Sequence, residues 1–205
     1  MNTKRFWSLR LAVVLVLLLL GGTLFVTRAS AGSEETRMRW DLISVDFATG
    51  TLSAGGIASA IAKDGSMITL TGQGTFVPEN GFGNQDVTGG GTWQTFDPSG
   101  NATASGTYKV TGFVSWKVAP GTPPLPHDLI GKLKDNRAGL LVVTIQFSNG
   151  STGVLTVSCH LVGTPNSVFE GIRVSMGFVD YWNGKAPPAP PGNANRTTFH
   201  ILEED

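Results

Sequence analysis

The sequence predicts an all-β domain, an antiparallel β-barrel of about eight strands with a two-sheet β-sandwich as the alternative. Three observations carry that expectation. From Thr103 to Val118 apolar and polar residues alternate almost without a break, the pattern of a strand with one packed and one wet face. Turn chemistry such as Asp64-Gly65 and Ser148-Asn149-Gly150-Ser151 separates short apolar runs. No segment sustains the 3.6-residue period of an amphipathic helix, and glycine is about twice as frequent as usual.

Taken in chain order, the first element is a leader. Lys4, Arg5 and Arg10 precede an apolar run from Leu11 to Val26, and Ala29-Ser30-Ala31 supplies a small-residue cleavage signal. The expected organisation is a signal peptide at 1–31 and a single exported β-domain at 32–205. The alternative is an uncleaved anchor, because the apolar run is only slightly short of the roughly 18–20 residues that cross a bilayer. Either way the domain is placed outside the cytoplasm, secreted or in the cell envelope, and this segment is its one expected membrane contact. Beyond the leader, 11 basic residues stand against 15 acidic ones, with no basic cluster, which excludes nucleic acid as a partner. One cysteine forms no internal disulfide, so the domain stands on packing alone.

The strands expected next are Trp40 to Phe47, a hairpin about Asp64-Gly65, Val87 to Phe96, and the long Thr103 strand, which is either continuous or two strands meeting near Gly112. In the hairpin, a two-residue type I′ turn sets Ile61 opposite Ile68 and Ser59 opposite Leu70, with Ile57, Ile61, Ile68 and Leu70 sharing a face. Glycines in "TGQG" and "TGGGTW" mark bulges or sharp bends. A Pro-rich connection fills 119–138, with room for one helical turn at Asp128 to Lys134; loops of this length are usually functional or mobile. Strands follow at Leu140 to Phe147, Gly153 to Val162, Ile172 to Tyr181 and Thr197 to Leu202. The proline run from Lys185 reads as a stiff spacer before the last of them.

The pair "GGGTWQTF" and "SGTYKVTG" resembles the G-T-W and G-T-Y strands of avidin-type biotin-binding barrels, and G-x-W alone resembles the lipocalin signature. The resemblance covers Gly91 to Gly112. Those families place the motif in their first strand, whereas several strands precede it here, so no ligand residue carries over.

Candidate chemistry is sparse. Cys159 and His160 are adjacent, but on a regular strand they face opposite ways, with Cys159 on the apolar face as a small hydrophobe and the pair unable to act as a dyad. His160 and His200 both fall on polar faces, and with His127 from the Pro-rich connection they could form a three-nitrogen metal site if the strands are neighbours. Glu170 and Asp180 fall in one apolar phase, where burial would raise a carboxyl's pKa. Phe178, Tyr181 and Trp182 crowd one strand end, as aromatics with polar tips do at small-molecule sites. No G-x-S-x-G, H-E-x-x-H, Walker, dinucleotide or EF-hand motif is present. The functional expectation is a non-enzymatic exported domain without a cofactor. It would bind a small apolar or amphipathic ligand, or a protein partner, at one barrel end through Phe178, Tyr181, Trp182, His127, His160 and His200. The alternatives are a hydrolase or isomerase using carboxylates or a histidine-held metal, and a structural envelope protein.

Overall fold

The computed structural model describes residues 36–78, 86–184 and 195–203. The leader and the proline run from Lys185 lie outside the described residues. The chain is all-β: thirteen strands and a single three-residue 3-10 turn, Leu133–Asp135, among the described residues. In order they are β1 Arg37–Asp46, β2 Thr51–Ala54, β3 Ala58–Ala62, β4 Met67–Leu70, β5 Gln73–Phe76, β6 Gly90–Phe96 and β7 Ala102–Ala119. Then come β8 His127–Asp128, β9 Asn136–Phe147, β10 Thr152–Cys159, β11 Gly171–Met176, β12 Val179–Gly184 and β13 Arg196–Leu202.

All belong to one hydrogen-bonded sheet, and only the two-residue contact of β2 with β8 is parallel. The pairings β9-β10-β11-β12-β3-β4-β6-β7 return to β9. A side path runs from β9 through β13 and β1 to β2 and β8, and β5 ties β1 back to β6. The strand β9 therefore sits at a fork. One of its edges is taken along its length by β7. The other is shared, by β13 at Asn136 and Arg137 and by β10 from Gly139 to Gln146.

Inward-facing residues of nearly every strand make one continuous core. Trp93, Tyr108 and Phe147 pack at one place, with centroids of Trp93 and Phe147 5.8 Å apart. Phe76, Phe113, Trp116 and Phe199 pack at another, with Trp116 and Phe199 at 4.5 Å. The G-T-W and G-T-Y segments lie side by side in β6 and β7, with both Trp93 and Tyr108 in this core. A smaller second cluster, Ile43, Val45 and Leu52 with Leu125 and Ile130, lies on the other side of β1 under the Pro-rich connection.

Two details differ from the expectation, the register of the β3–β4 hairpin and the division of Ile172 to Tyr181, and β7 takes the first of its two expected forms. The β3–β4 hairpin exists, but Ala60 stands opposite Ile68 and Ser59 opposite Thr69, one residue out of the expected register. The loop holds three residues, not two: the Ala62 N–H reaches the Ser66 carbonyl at 2.8 Å and Gly65 takes a left-handed φ of 88°. This is a type I turn closed by a bulged glycine, steadied by the Asp64 carboxylate accepting from the Ser66 N–H and hydroxyl. The slip turns Ala58, Ala60 and Ala62 to the core with Ile68 and Leu70, and leaves Ile57 40% exposed. In β7 the strand is continuous, and register shifts at Val110/Gly112 and Phe113/Ser115 bury Phe113, the one residue out of phase with the alternation. Ile172 to Tyr181 is two strands, β11 and β12, joined at Gly177-Phe178 with Met176 opposite Val179. The bend expected in "TGQG" is found between β4 and β5, where the chain keeps its contact with β6 at Thr71 and Gln73 and takes up pairing with β1 from Gln73.

Candidate functional site

The residues of β1 divide between two environments. Met38, Trp40 and Leu42 enter the main core, while Ile43 and Val45 join Leu52 of β2. Beside this second cluster β10 and β13 diverge from the fork on β9. The wedge between them is a small cleft of about 80 Å³. Ile43, Val45, Phe47 and Leu52 line one side, Pro123, Pro124 and Leu125 another, and Asn136, Cys159, His160, Leu161, Glu170, Arg196, Thr197 and Thr198 the rest.

Glu170 follows from the divergence. Where β10 and β13 part, the backbone N–H groups of His160 and Thr197 lose a ladder partner, and enclosed donors need one. The Glu170 carboxylate accepts from His160 N at 2.5 Å and from Thr197 N at 2.7 Å, with the Thr197 hydroxyl at 3.3 Å. The Thr197 hydroxyl also donates to the Ser158 carbonyl at 2.6 Å. Burial pushes the Glu170 carboxyl up to about 7, against the lowering pull of these N–H groups and of the nearby Arg196 charge. Asp180, its expected companion, is exposed on β12, so the two carboxylates form no pair.

Arg196 opens β13. Its guanidinium lies 5.6 Å from the centroid of the Phe47 ring, the distance of a cation–π contact. Its Nε is buried and has no hydrogen-bond partner, and among the described residues it makes no ion pair.

Cys159 is buried in the core, as its phase predicts, and burial, then the charge of Glu170, pushes its thiol well above the ordinary value. His160 directs Nδ1 to the Val168 carbonyl at 2.6 Å. A carbonyl only accepts, so Nδ1 carries the proton.

His200 is not on a wet face. It shares the Thr198 side of β13, but the Pro-rich connection covers that side, and the ring is 1% exposed. Its Nε2 bonds Asp128 Oδ2 at 2.7 Å. Asp128 also accepts from the Ile130 and Gly131 N–H groups. Asn136 donates to Thr198 at 2.8 Å beside this pair. Gly131 lies so close over the ring that a Cβ there would meet His200 Cδ2 at 2.6 Å. These bonds fasten the far end of the connection to the sheet, and the Thr122–Val162 bridge fastens its near end. His127 is exposed on β8. Among the described residues no three His, Cys, Asp or Glu side chains are placed to hold a metal.

The aromatic trio is also divided. Tyr181 is 5% exposed in the core, Phe178 projects fully exposed from the β11–β12 turn, and Trp182 is 57% exposed beside Val154 and Arg173. Of the six expected ligand residues, only His160 lines the cleft. Sequence reading passed over Arg196, Ile43, Val45 and Leu125. One signal for them was visible, since the apolar phase of β1 switches at Leu42-Ile43, from Met38, Trp40 and Leu42 to Ile43 and Val45, as it does when the two faces of a strand are covered in turn.

Compared with family models, with curated proteins and with solved structures, the chain matches none.

Proposed function

We propose that this chain is an exported, non-catalytic β-domain, built on an eight-stranded barrel, that binds a small amphipathic ligand. The binding site on this reading is the cleft between β1, the Pro-rich connection and the diverging ends of β10 and β13. What supports the barrel is the closed circuit of eight antiparallel pairings around a packed core. Large aromatics fill that interior, which supports a ligand site outside the circuit, at the fork.

The observation that carries the binding reading is the composition of the cleft. Aliphatic, proline and Phe47 side chains make just over half of its wall, and Arg196, Glu170 and His160 stand beside them, Arg196 directly opposite Ile43 in the β1–β13 pairing. The carboxyl of Glu170, near 7, is the kind of group an acid–base enzyme employs. Both of its oxygens, however, serve as acceptors for backbone N–H groups, which favours a role in holding the two strands together.

A neutral phenylnaphthylamine dye tests the reading. Its fluorescence should rise with the wild-type protein and with Trp182→Ala, and should fall away with Leu125→Asp in a protein that keeps its β-sheet circular dichroism. Loss in Trp182→Ala with retention in Leu125→Asp would move the site to the β11–β12 hairpin and overturn the proposal.

A further inference from the structure

We infer that the ligand of this cleft is an anion, an amphiphile with a carboxylate head whose oxygens pair with the guanidinium of Arg196 while its apolar tail lies along Ile43, Val45, Leu52 and Leu125. The inference rests on the binding reading above and adds the chemistry of the head group.

The argument begins with an unpaired donor. A buried N–H without an acceptor is costly, and more so on a charged group, so proteins rarely leave one. Arg196 Nε is such a donor, and the residue lines the cleft. Arginine presents its N–H groups as a planar fork that matches a carboxylate. The Phe47 ring, 5.6 Å from the guanidinium, adds a long cation–π contact on one face.

The rest of the cleft offers Arg196 no counter-charge. Glu170 is the carboxylate lining the cleft and it feels the charge of Arg196, but the two are not in ion-pair contact. Its oxygens are engaged by His160 and Thr197, and its carboxyl, near 7, is about half protonated at neutrality. Two further carboxylates stand nearby and both are engaged: Asp128 is held by His200 and the backbone of Ile130 and Gly131, and Asp41 by Arg39. Beyond the polar side the wall is aliphatic, so a ligand satisfying both halves has an anionic head and a hydrocarbon body.

The test compares octanoate, octanol and octylamine, which share a tail and differ in the head, by titration calorimetry on the purified protein. Octanoate should bind about 10- to 100-fold more tightly than octanol, the range of a charge-assisted hydrogen bond. Arg196→Gln should erase that preference and leave octanol unchanged. In wild-type protein the Arg196 Nε–H resonance should shift with octanoate and stay fixed with octanol, a reading that holds even if the variant fails to fold. Equal binding of octanoate and octanol, or tighter binding of octylamine, would overturn the anionic head and leave the amphiphile reading standing. Binding of none of the three would remove both.

Discussion

At the scale of single residues, Glu170 joins architecture to acidity. Its folded carboxyl is raised from 4.5 to about 7, so between these values the folded chain holds a proton that the unfolded chain has released. Stability must then fall as pH rises through that window, by up to about 3 kcal/mol for a shift of this size. Thermal unfolding should give a lower midpoint at pH 8 than at pH 5, and Glu170→Gln should flatten that dependence. The variant would set an amide N–H against one backbone donor and lose about 1–3 kcal/mol at pH 5. A wild-type midpoint that is level from pH 5 to pH 8 would contradict the assignment. The residue scale is also where sequence reading was weakest. Alternation put His200 and Thr198 on one face, which is correct, but a covering loop makes that face an interior, and alternation carries no information about what lies over a sheet. Arg196 drew no attention because one arginine at a strand start is ordinary; its unpaired Nε exists only in three dimensions.

At the scale of elements, most strands were legible because period and turn residues are local properties. Register was not. Asp64-Gly65 suits both a two-residue and a three-residue hairpin loop, and the choice between them moves every side chain to the opposite face. The observed register makes a firm mutational forecast. Ala60→Leu should cost about 1–3 kcal/mol or more by overpacking, whereas Ile57→Ser should stay within about 0.5 kcal/mol. Denaturant titration of the two variants would give the opposite ranking if the isoleucine face were buried. Gly65→Ala should cost about 1–2 kcal/mol, because φ is left-handed there and the new Cβ would lie 3.3 Å from Pro98 Cβ.

The Pro-rich connection is an element without regular structure whose position depends on Asp128. Asp128→Ala would strand His200 in the core and free the Ile130 and Gly131 N–H groups, at a cost of about 3 kcal/mol or more. Amide exchange at Leu129 to Gly131 should accelerate far more than exchange in β4. Equal acceleration in both would mean that the fold as a whole had loosened, contrary to a local fastening.

At the scale of the molecule, β9 is the strand on which both pairing paths depend, with β7, β10 and β13 all bonded to it. Its central amides should be among the slowest to exchange, and Leu141→Ala, at a fully buried site, should cost about 2–5 kcal/mol. Faster exchange in β9 than in β11 or β12 would argue against this hierarchy. Sequence could suggest closure through its many short strands, but the branching at β9 was beyond it, because pairing partners far apart in the chain leave no local trace.

The fork on β9 bears on inheritance. A cleft produced by the parting of two strands exists whatever side chains border it, so its wall can change without endangering the sheet. Descendants of such a chain would be free to exchange Leu125 or Arg196, and on the proposed binding reading so to change ligand, while the carboxylate that caps the parting strands would be far costlier to replace.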